Sequence, residues 1–431
     1  DLATQILAVL SQPTEQCRRL SEAVEKGVAF HHAGLASRQR ELIEDAFRDG
    51  RIKIISCTPT LAAGVDLPAF RTVIRDLKRY TGSWGMQYIP VLEYQQMAGR
   101  AGRPGKEEYG EAICIASNEA DKETILYTFL NADVEPIYSK LAVEPVLRTY
   151  VLSLTASGFI KSMDQALGFF EKTFWARQYG DMHKLQSIIR RVVKMLQGYG
   201  FLETEGLQAT VLGERVAQLY LDPLTADHIM RNLAKQPTQA FGYLQMLSHT
   251  LEMRPLLRLR RNEREAIEDE LSEAELLMDE PSLFDEDYQM FFESMKTALC
   301  FRDWIDEAGE DLLLQRYAVR PGELRAKQAV LDWLLYCAGE LAKISGRNQH
   351  LGMLAKLRTR CKYGVKEELL PLLRFRGIGR VRARKLFGAG IKNSGDIRKV
   401  SPERLVSLLG TVTAGKLKEQ ADAAFPSFRK L

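Results

Sequence analysis

Apolar positions in the first 120 or so residues switch between a helical period and short β-branched runs. From Thr4 to Val24, Leu7, Leu10, Leu20 and Val24 recur at helical spacing, and Pro13 interrupts the run. VAFHHAG, residues 28–34, predicts a short strand running into a turn. Ser37 to Phe47 repeats the amphipathic helical pattern, and Gly50 sits at its stop position. RIKIISCTP, residues 51–59, is β-branched and bounded by Pro59, which predicts a buried strand; EAICIAS, residues 111–117, predicts another. Helices alternating with such strands imply a mostly parallel α/β sheet.

After about residue 140 the strand signals nearly vanish. Leu185, Ile188, Ile189, Val192, Val193 and Leu196 form a helical stripe that ends at Gly198-Tyr199-Gly200. FLET and LQATVL then flank Glu205-Gly206 as a short hairpin, the order of a winged-helix module. From Asp222 to about Lys362 the chain is helical and partly acidic. Within it, Pro321-Gly322-Glu323-Leu324-Arg325 opens a helix to about Lys343, with an apolar stripe of Val330, Trp333, Leu334, Cys337 and Leu341. Near residue 364 the chain becomes basic and glycine-punctuated. The fold class expected is multidomain, α/β followed by α.

Composition narrows this picture. The 431 residues are 45% hydrophobic and 27% charged, which suits three or four globular domains at roughly 100–200 residues each. No window approaches 18 uncharged apolar residues, so a membrane-spanning helix is excluded. The chain opens at Asp1 without Met and without a basic leader, which reads as a fragment lacking a signal peptide. Six scattered cysteines with no CxxC argue against a zinc site or disulfide framework and fit a reducing, cytoplasmic setting. The net charge of +4 hides an asymmetry. Glu263 to Asp311 holds 18 acids and 3 bases, whereas Lys366 to Leu431 holds 15 bases and 6 acids. A basic terminal module points to a polyanion partner; the plainer alternative is a solvated basic surface.

The strongest chemical signal is Gln96-Met97-Ala98-Gly99-Arg100-Ala101-Gly102-Arg103. Small residues between two arginines let the backbone pack closely while the guanidiniums project to one side. Such a pair can clamp charge developing on a transferring phosphoryl group, with Gln96 holding the attacking water or sensing the nucleotide. Thr58-Pro59-Thr60 through Gly64, Asp66 and Pro68 follows a predicted strand, at the sheet end where α/β folds place ligands. Thr58 and Thr60 can donate to a phosphate, Gly64 allows close backbone approach, and Asp66 can reach a ribose or the arginines. His31 and His32 are adjacent on a strand, point opposite ways and suit loop positioning or phosphate contact rather than a shared metal. Between these motifs, strand-like residues flank Thr81-Gly82-Ser83 with Tyr80, Trp84 and Tyr88 nearby, a hairpin whose aromatics stack on a base or pack inward, with Lys78 and Arg79 placed to hold phosphate. Trp333 is equally a core residue or a stacking surface. Finally, Gly377-Ile378-Gly379 followed by Arg380, Arg382 and Arg384 resembles a helix-hairpin-helix, whose turn offers main-chain N–H groups to phosphate. A degenerate second copy is expected from Ser401 to Gly410.

FHHAGL, TPTLAAGVDLPA and YQQMAGRAGRPG resemble motifs of superfamily 2 helicases, and are together most similar to the archaeal DNA repair helicases of the Holliday-junction-migration type, Hjm, relatives of the polymerase theta helicase domain. The resemblance continues through KTALCFRDWIDE, RPGELRAKQAVLDWLLY and RGIGRVRARKL. It implies a second RecA-like motor domain at 1–138, truncated at its N-terminus, a winged helix at 139–222, a helical ratchet domain at 223–363 and a helix-hairpin-helix-like DNA-binding domain at 364–431. The implied activity is ATP-dependent, 3′ to 5′ translocation on single-stranded DNA, unwinding forks in repair or recombination. ATP and Mg2+ are the implied cofactors, and single-stranded and forked DNA the implied partners, alongside replication or recombination proteins; the protein is expected to be a monomer. By the same resemblance Arg100, Arg103 and Gln96 act on ATP beside Gly64 and Asp66. His32, Thr58, Thr60, the hairpin residues Tyr80 and Trp84, the helix residues Arg325 and Trp333, and Gly377, Gly379, Arg380, Arg382 and Arg384 contact DNA. The 431 residues contain no GxxxxGK[ST], so the chain alone is expected not to hydrolyse ATP. Asp306-Glu307-Ala308 and Asp279-Glu280 mimic an acidic helicase box but follow no buried strand, and are not expected to hold metal. Two alternatives remain at this stage: a non-enzymatic DNA-binding module, and an RNA helicase of similar motor design.

Overall fold

Pro13 divides the N-terminal apolar run into α1 (Leu2–Ala8) and α2 (Glu15–Glu25). Each helix is opened by a side-chain cap: Asp1 accepts from the Ala3 N–H at 3.1 Å and Thr14 from the Cys17 N–H at 3.4 Å. Then follow β1 (Val28–His31), α3 (Ser37–Arg48), β2 (Ile54–Cys57), β3 (Arg71–Ile74), β4 (Lys78–Tyr80), β5 (Met86–Tyr88), α4 (Val91–Ala98), β6 (Glu111–Cys114) and α5 (Glu119–Ile125). This is a computed structural model that describes residues 1–10, 13–61, 67–80, 86–102, 105 and 107–423. It divides into two units, one of Asp1–Tyr138 with Arg320–Glu323, the other of Ser139–Val319 with Leu324–Leu431.

In the first unit, β1 pairs parallel with β2, Val28 opposite Ile54, and β3 pairs parallel with β6, Arg71 opposite Glu111. The parallel pairing agrees with the alternating pattern, but the expected burial does not. Ile54 is 63% exposed and Ile115 51%. The reason is one-sided cover. Helices α1, α2 and α3 enclose a core that takes in Ala29 and Ile55, and a second core around Tyr94 and Phe129 takes in Ile74, Cys114 and Ala116. Alternate residues of each strand therefore face away from both cores.

The second unit is helical: α6 (Glu144–Ala156), α7 (Met163–Phe170), α8 (Phe174–Tyr179), α9 (Met182–Gly198), α10 (Val211–Gln218), α11 (Pro223–Asn232), α12 (Ala240–Ser248), α13 (Arg264–Glu273), α14 (Tyr288–Ile305), α15 (Glu310–Tyr317), α16 (Pro321–Ile344, in this unit from Leu324), α17 (Leu351–Tyr363), α18 (Leu370–Leu373), α19 (Arg380–Gly388), α20 (Ser394–Lys399), α21 (Pro402–Leu409) and α22 (Thr411–Ala423). The hairpin expected after α9 is reduced to one antiparallel bridge, Leu202 to Ala209, with Gly206 at φ +81 in its turn. The stretch from Ser401 to Gly410, expected to hold a degenerate second hairpin, forms the single helix α21, which Gly410 at φ +80 joins to α22.

One continuous core extends from Leu147 to Cys361 and crosses residue 222 without a break, since Leu221 and Ala226 both belong to it. Leu331, Leu334, Leu335, Cys337, Ala338, Leu341 and Ala342 of α16 lie in it, each no more than 1% exposed. Arg148 of α6 is buried beside it and is fully paired, to Asp222 at 2.7 and 2.9 Å and to Glu144 at 2.8 Å, as a buried guanidinium requires. Val365 to Ala421 form a separate core. No helix among the described residues is long and apolar enough to cross a membrane. Truncating Leu334 to Ala should cost about 2–5 kcal/mol by leaving a cavity, read as a lowered denaturant midpoint.

Candidate functional site

The arginine motif sits at the end of α4, where the chain turns against the approach to β3. The Ala69 N–H donates to the Arg100 carbonyl at 2.9 Å, and the Gly102 N–H donates to the Ala69 carbonyl at 2.7 Å. Gly102 has φ +95, and a Cβ on Gly110 would lie 2.1 Å from the Gly102 nitrogen and 2.4 Å from the Ala101 carbonyl carbon. Two backbone segments thus meet with no room for a side chain, and the Arg100 main chain is held from both sides. Arg100 is half-buried and Gln96 is exposed on α4. Arg103, Gly64 and Asp66 lie outside the described residues.

The carboxyl ends of β1 and β2 meet within the same unit. The Thr58 N–H donates to the His31 carbonyl at 3.1 Å, and Thr60 lies in a short 3-10 turn, Pro59–Leu61. The two histidines diverge as expected. His31 is buried with Nε2 3.0 Å from Glu44 Oε1, whereas His32 Nδ1 accepts from the Gly34 N–H at 3.1 Å. That bond leaves the His32 proton on Nε2 when the ring is neutral. Burial first, and then the Arg320 guanidinium, hold the His32 ring below its usual range, against the opposing pull of Glu323. His32 is therefore a neutral donor at pH 7 rather than a cation.

The hairpin exists: β4 and β5 pair antiparallel, with Lys78 opposite Tyr88 and Tyr80 opposite Met86. Its tip, including Trp84, lies outside the described residues, and Tyr80 ends β4. The flanking cations are engaged already, which corrects their reading as phosphate holders. Lys78 sits 4.4 Å over the Tyr88 ring, and Arg79 pairs with Glu93 at 2.8 and 3.0 Å.

In the second unit, Arg325 is exposed and 3.5 Å from Glu310. Trp333 is half-buried against the common core, and its Nε1 donates to the Leu219 carbonyl at 3.3 Å. The glycine turn stands between α18 and α19, with Gly377 at φ +85 and Gly379 at the N-cap of α19. An open groove beside it is lined by Tyr363, Leu373, Arg374, Phe375, Arg376 and Gly377.

The expected row of three arginines beside that turn is not a free row. Arg380 donates to the Glu307 and Ala308 carbonyls and lies 5.2 Å over the Trp304 ring. Arg384 reaches Glu307 Oε2 at 2.8 Å and Glu368 at 2.6 Å. Glu307, in left-handed backbone at φ +74, also accepts from the Lys366 N–H at 3.1 Å. Arg382 alone of the three is exposed, and it donates to the Gly377 carbonyl at 2.7 Å. An ion pair with Glu307 engages Arg384, and main-chain carbonyls and the Trp304 ring engage Arg380, so two of the side chains that pattern alone assigned to a ligand have internal partners. Arg374 and Arg376 line the groove instead, and their place in the same motif was the signal for them.

Burial opposes the charge on Glu307, but Arg384, the Lys366 N–H and Arg380 together outweigh it and hold its carboxyl below the usual carboxylate range. A depressed acid stabilises the fold above its unfolded pKa, and the contribution disappears as pH falls through the folded value. Acid titration of stability should therefore show a loss beginning near pH 4–5 that Glu307→Gln removes, together with lower stability at neutral pH.

Comparison with known proteins agrees with these features. Residues 4–105 match the family described as helicase conserved C-terminal domain, and residues 241–364 match archaeal helicase, domain 4. The chain is 37% identical to the ATP-dependent DNA helicase Hel308 of Methanococcus vannielii, over 97% of this chain and 61% of that protein. It is 38% identical to the proteins of that name from Methanocella arvoryzae and Pyrococcus abyssi, over 92% of this chain and 54% and 56% of theirs. The chain thus spans somewhat over half the length of these relatives. Along nearly all of its own length it is similar to archaeal Hel308 helicases, and parts of it match the helicase conserved C-terminal domain and archaeal helicase domain 4 families.

Proposed function

We propose that this chain is the C-terminal part of an ATP-dependent DNA helicase of the Hel308 and Hjm type, supplying the arginine side of an ATP site whose P-loop side is carried by a preceding motor domain. The observation that carries the reading is the turn at Gly99–Gly102. Its main chain is bonded on both sides to Ala69 and pressed against Gly110, so Arg100 projects from a rigid support. Preorganised guanidiniums stabilise the charge of a transferring phosphoryl group without reorganisation during the reaction. Arg100 and Arg103 are the fingers, Gln96 orients water, and Gly64 and Asp66 approach the nucleotide; ATP and Mg2+ are bound jointly with the P-loop side.

Translocation runs 3′ to 5′ on single-stranded DNA, with Tyr80 and Trp84 of the hairpin at the fork. His32, Thr58 and Thr60 contact the strand at the sheet end, Arg325 and Trp333 along α16, and Gly377, Gly379 and Arg382 at the terminal hairpin. The organisation is a second RecA-like domain at 1–138, a winged helix at 139–222, a ratchet domain at 223–363 and a helix-hairpin-helix-like domain at 364–431. Printed names of the relatives and the two matched families support this reading.

Mixing the chain with a P-loop motor domain from one of these relatives should produce DNA-stimulated phosphate release. Arg103→Ala should lower turnover by roughly 10³-fold or more while DNA binding, measured by anisotropy, is unchanged. Full turnover in that variant would refute the finger assignment.

A further inference from the structure

Helix α10 ends in a turn that carries an unusual residue. The Tyr220 N–H donates to the Ala217 carbonyl at 3.1 Å, and the Leu221 N–H donates to the Val216 carbonyl at 3.3 Å. Val216 and Leu221 are both buried in the common core, which completes a Schellman motif. This geometry puts the residue at the bend in left-handed backbone, and Tyr220 has φ +56. Glycine takes that conformation without steric cost. The chain uses glycine there elsewhere: Gly50, Gly158, Gly200, Gly346 and Gly390 close α3, α6, α9, α16 and α19 with the same pair of main-chain bonds, at φ between +70 and +84. Glu307, at the end of α14, departs from glycine too, and its carboxylate is taken by Arg384. Tyr220 has no such reason within the fold. Its side chain is 85% exposed and makes no hydrogen bond or ring contact with another described residue. Bulky residues kept at positive φ cluster at ligand sites, where binding offsets the strain.

The turn is tied to α16. Trp333 Nε1 donates at 3.3 Å to the carbonyl of Leu219, the residue before Tyr220. One turn upstream in α10, Arg215 pairs with Glu340 and donates to the Tyr336 hydroxyl at 3.3 Å. These bonds gather three aromatic residues, Tyr220, Trp333 and Tyr336, along the seam between α10 and α16. Trp333 is half-buried there, whereas Tyr220 and Tyr336 are exposed. Flat rings on a rigid support suit nucleobases of any sequence, because every base has a π-face.

We infer that Tyr220 is a base-stacking residue: its ring receives a base of single-stranded DNA at the seam between α10 and α16, beside Trp333. This site rests on the DNA-binding reading above and adds a residue, at the end of α10, that the motifs do not mark. The left-handed turn aims the ring away from the core, and the two main-chain bonds and the Trp333 bond keep it there in advance of the strand.

The test uses the whole chain, a fluorescein-labelled oligothymidylate and an abasic deoxyribose-phosphate oligomer of equal length, with affinities read by anisotropy. Tyr220→Gly should weaken oligothymidylate binding roughly 5- to 100-fold and leave binding of the abasic oligomer unchanged. Because no phosphate contact is lost, the slope of log K against log salt should stay at the parental value. Relief of the left-handed strain should keep or raise the thermal midpoint of this variant. Tyr220→Phe, which retains the ring, should bind as the parent does. If Tyr220→Gly holds oligothymidylate with parental affinity, the ring serves a protein surface instead, and the assignment is overturned while DNA binding stands. A fall in its thermal midpoint, or an equal loss on the abasic oligomer, overturns it as well. If the parental chain binds neither oligomer, the stacking site and the DNA-binding reading fall together.

Discussion

Burial of α16 in a single core is the constraint on which the larger unit depends. Leu331, Leu334, Leu335, Cys337, Ala338, Leu341 and Ala342 occupy the interior that α6, α9, α11, α12, α14 and α17 also build. Because one helix serves so many neighbours, its outward face is positioned by the whole unit rather than by its own turns. Arg325, Ala329 and Tyr336 are presented on that face, and Trp333 is held at its edge by the bond to Leu219. Side chains on that face gain precision from such support, since residues locked by packing keep their geometry.

The charge distribution acquires a different meaning in three dimensions. The acidic stretch from Glu263 to Asp311 and the basic end from Lys366 onward partly neutralise each other. Glu307 belongs to the first, and Arg380 and Arg384 of the second converge on it. Other acids of the stretch are spent locally, Glu263 on Lys296 and Glu270 on Arg302. What is left for a polyanion is therefore not the strongest local excess in the sequence. It is the set of cations that the acidic stretch does not take, which Arg374 and Arg376 in the groove beside Gly377 illustrate.

The first unit shows how small residues carry a motif. Gly102 and Gly110 are eight positions apart, and nothing in their separate surroundings says that they touch. Once they do, a side chain at Gly110 is excluded by contact and one at Gly102 is disfavoured by its φ of +95, and the arginine turn is fixed by main-chain bonds to Ala69. The rigidity of the turn thus comes from backbone contact, with the arginines left to provide charge.

Sequence by itself determined the elements and much of their order. Pro13 separated α1 from α2, the stripe from Leu185 to Leu196 became α9, and Pro321 opened α16 as its capping pattern required. These are local matters of backbone propensity and apolar spacing, which a window of residues contains. Motif chemistry was legible for the same reason, since QMAGRAGR concentrates its residue types in eight positions. Only the tertiary structure decided which faces are covered and which charges are taken. Ile54 and Ile115 read as buried strand residues yet face outward, because cover depends on elements packed from elsewhere. Arg384 read as a ligand contact yet meets Glu307, seventy-seven residues away in sequence. Pairing across such distances depends on how the chain folds back, and no local pattern encodes it.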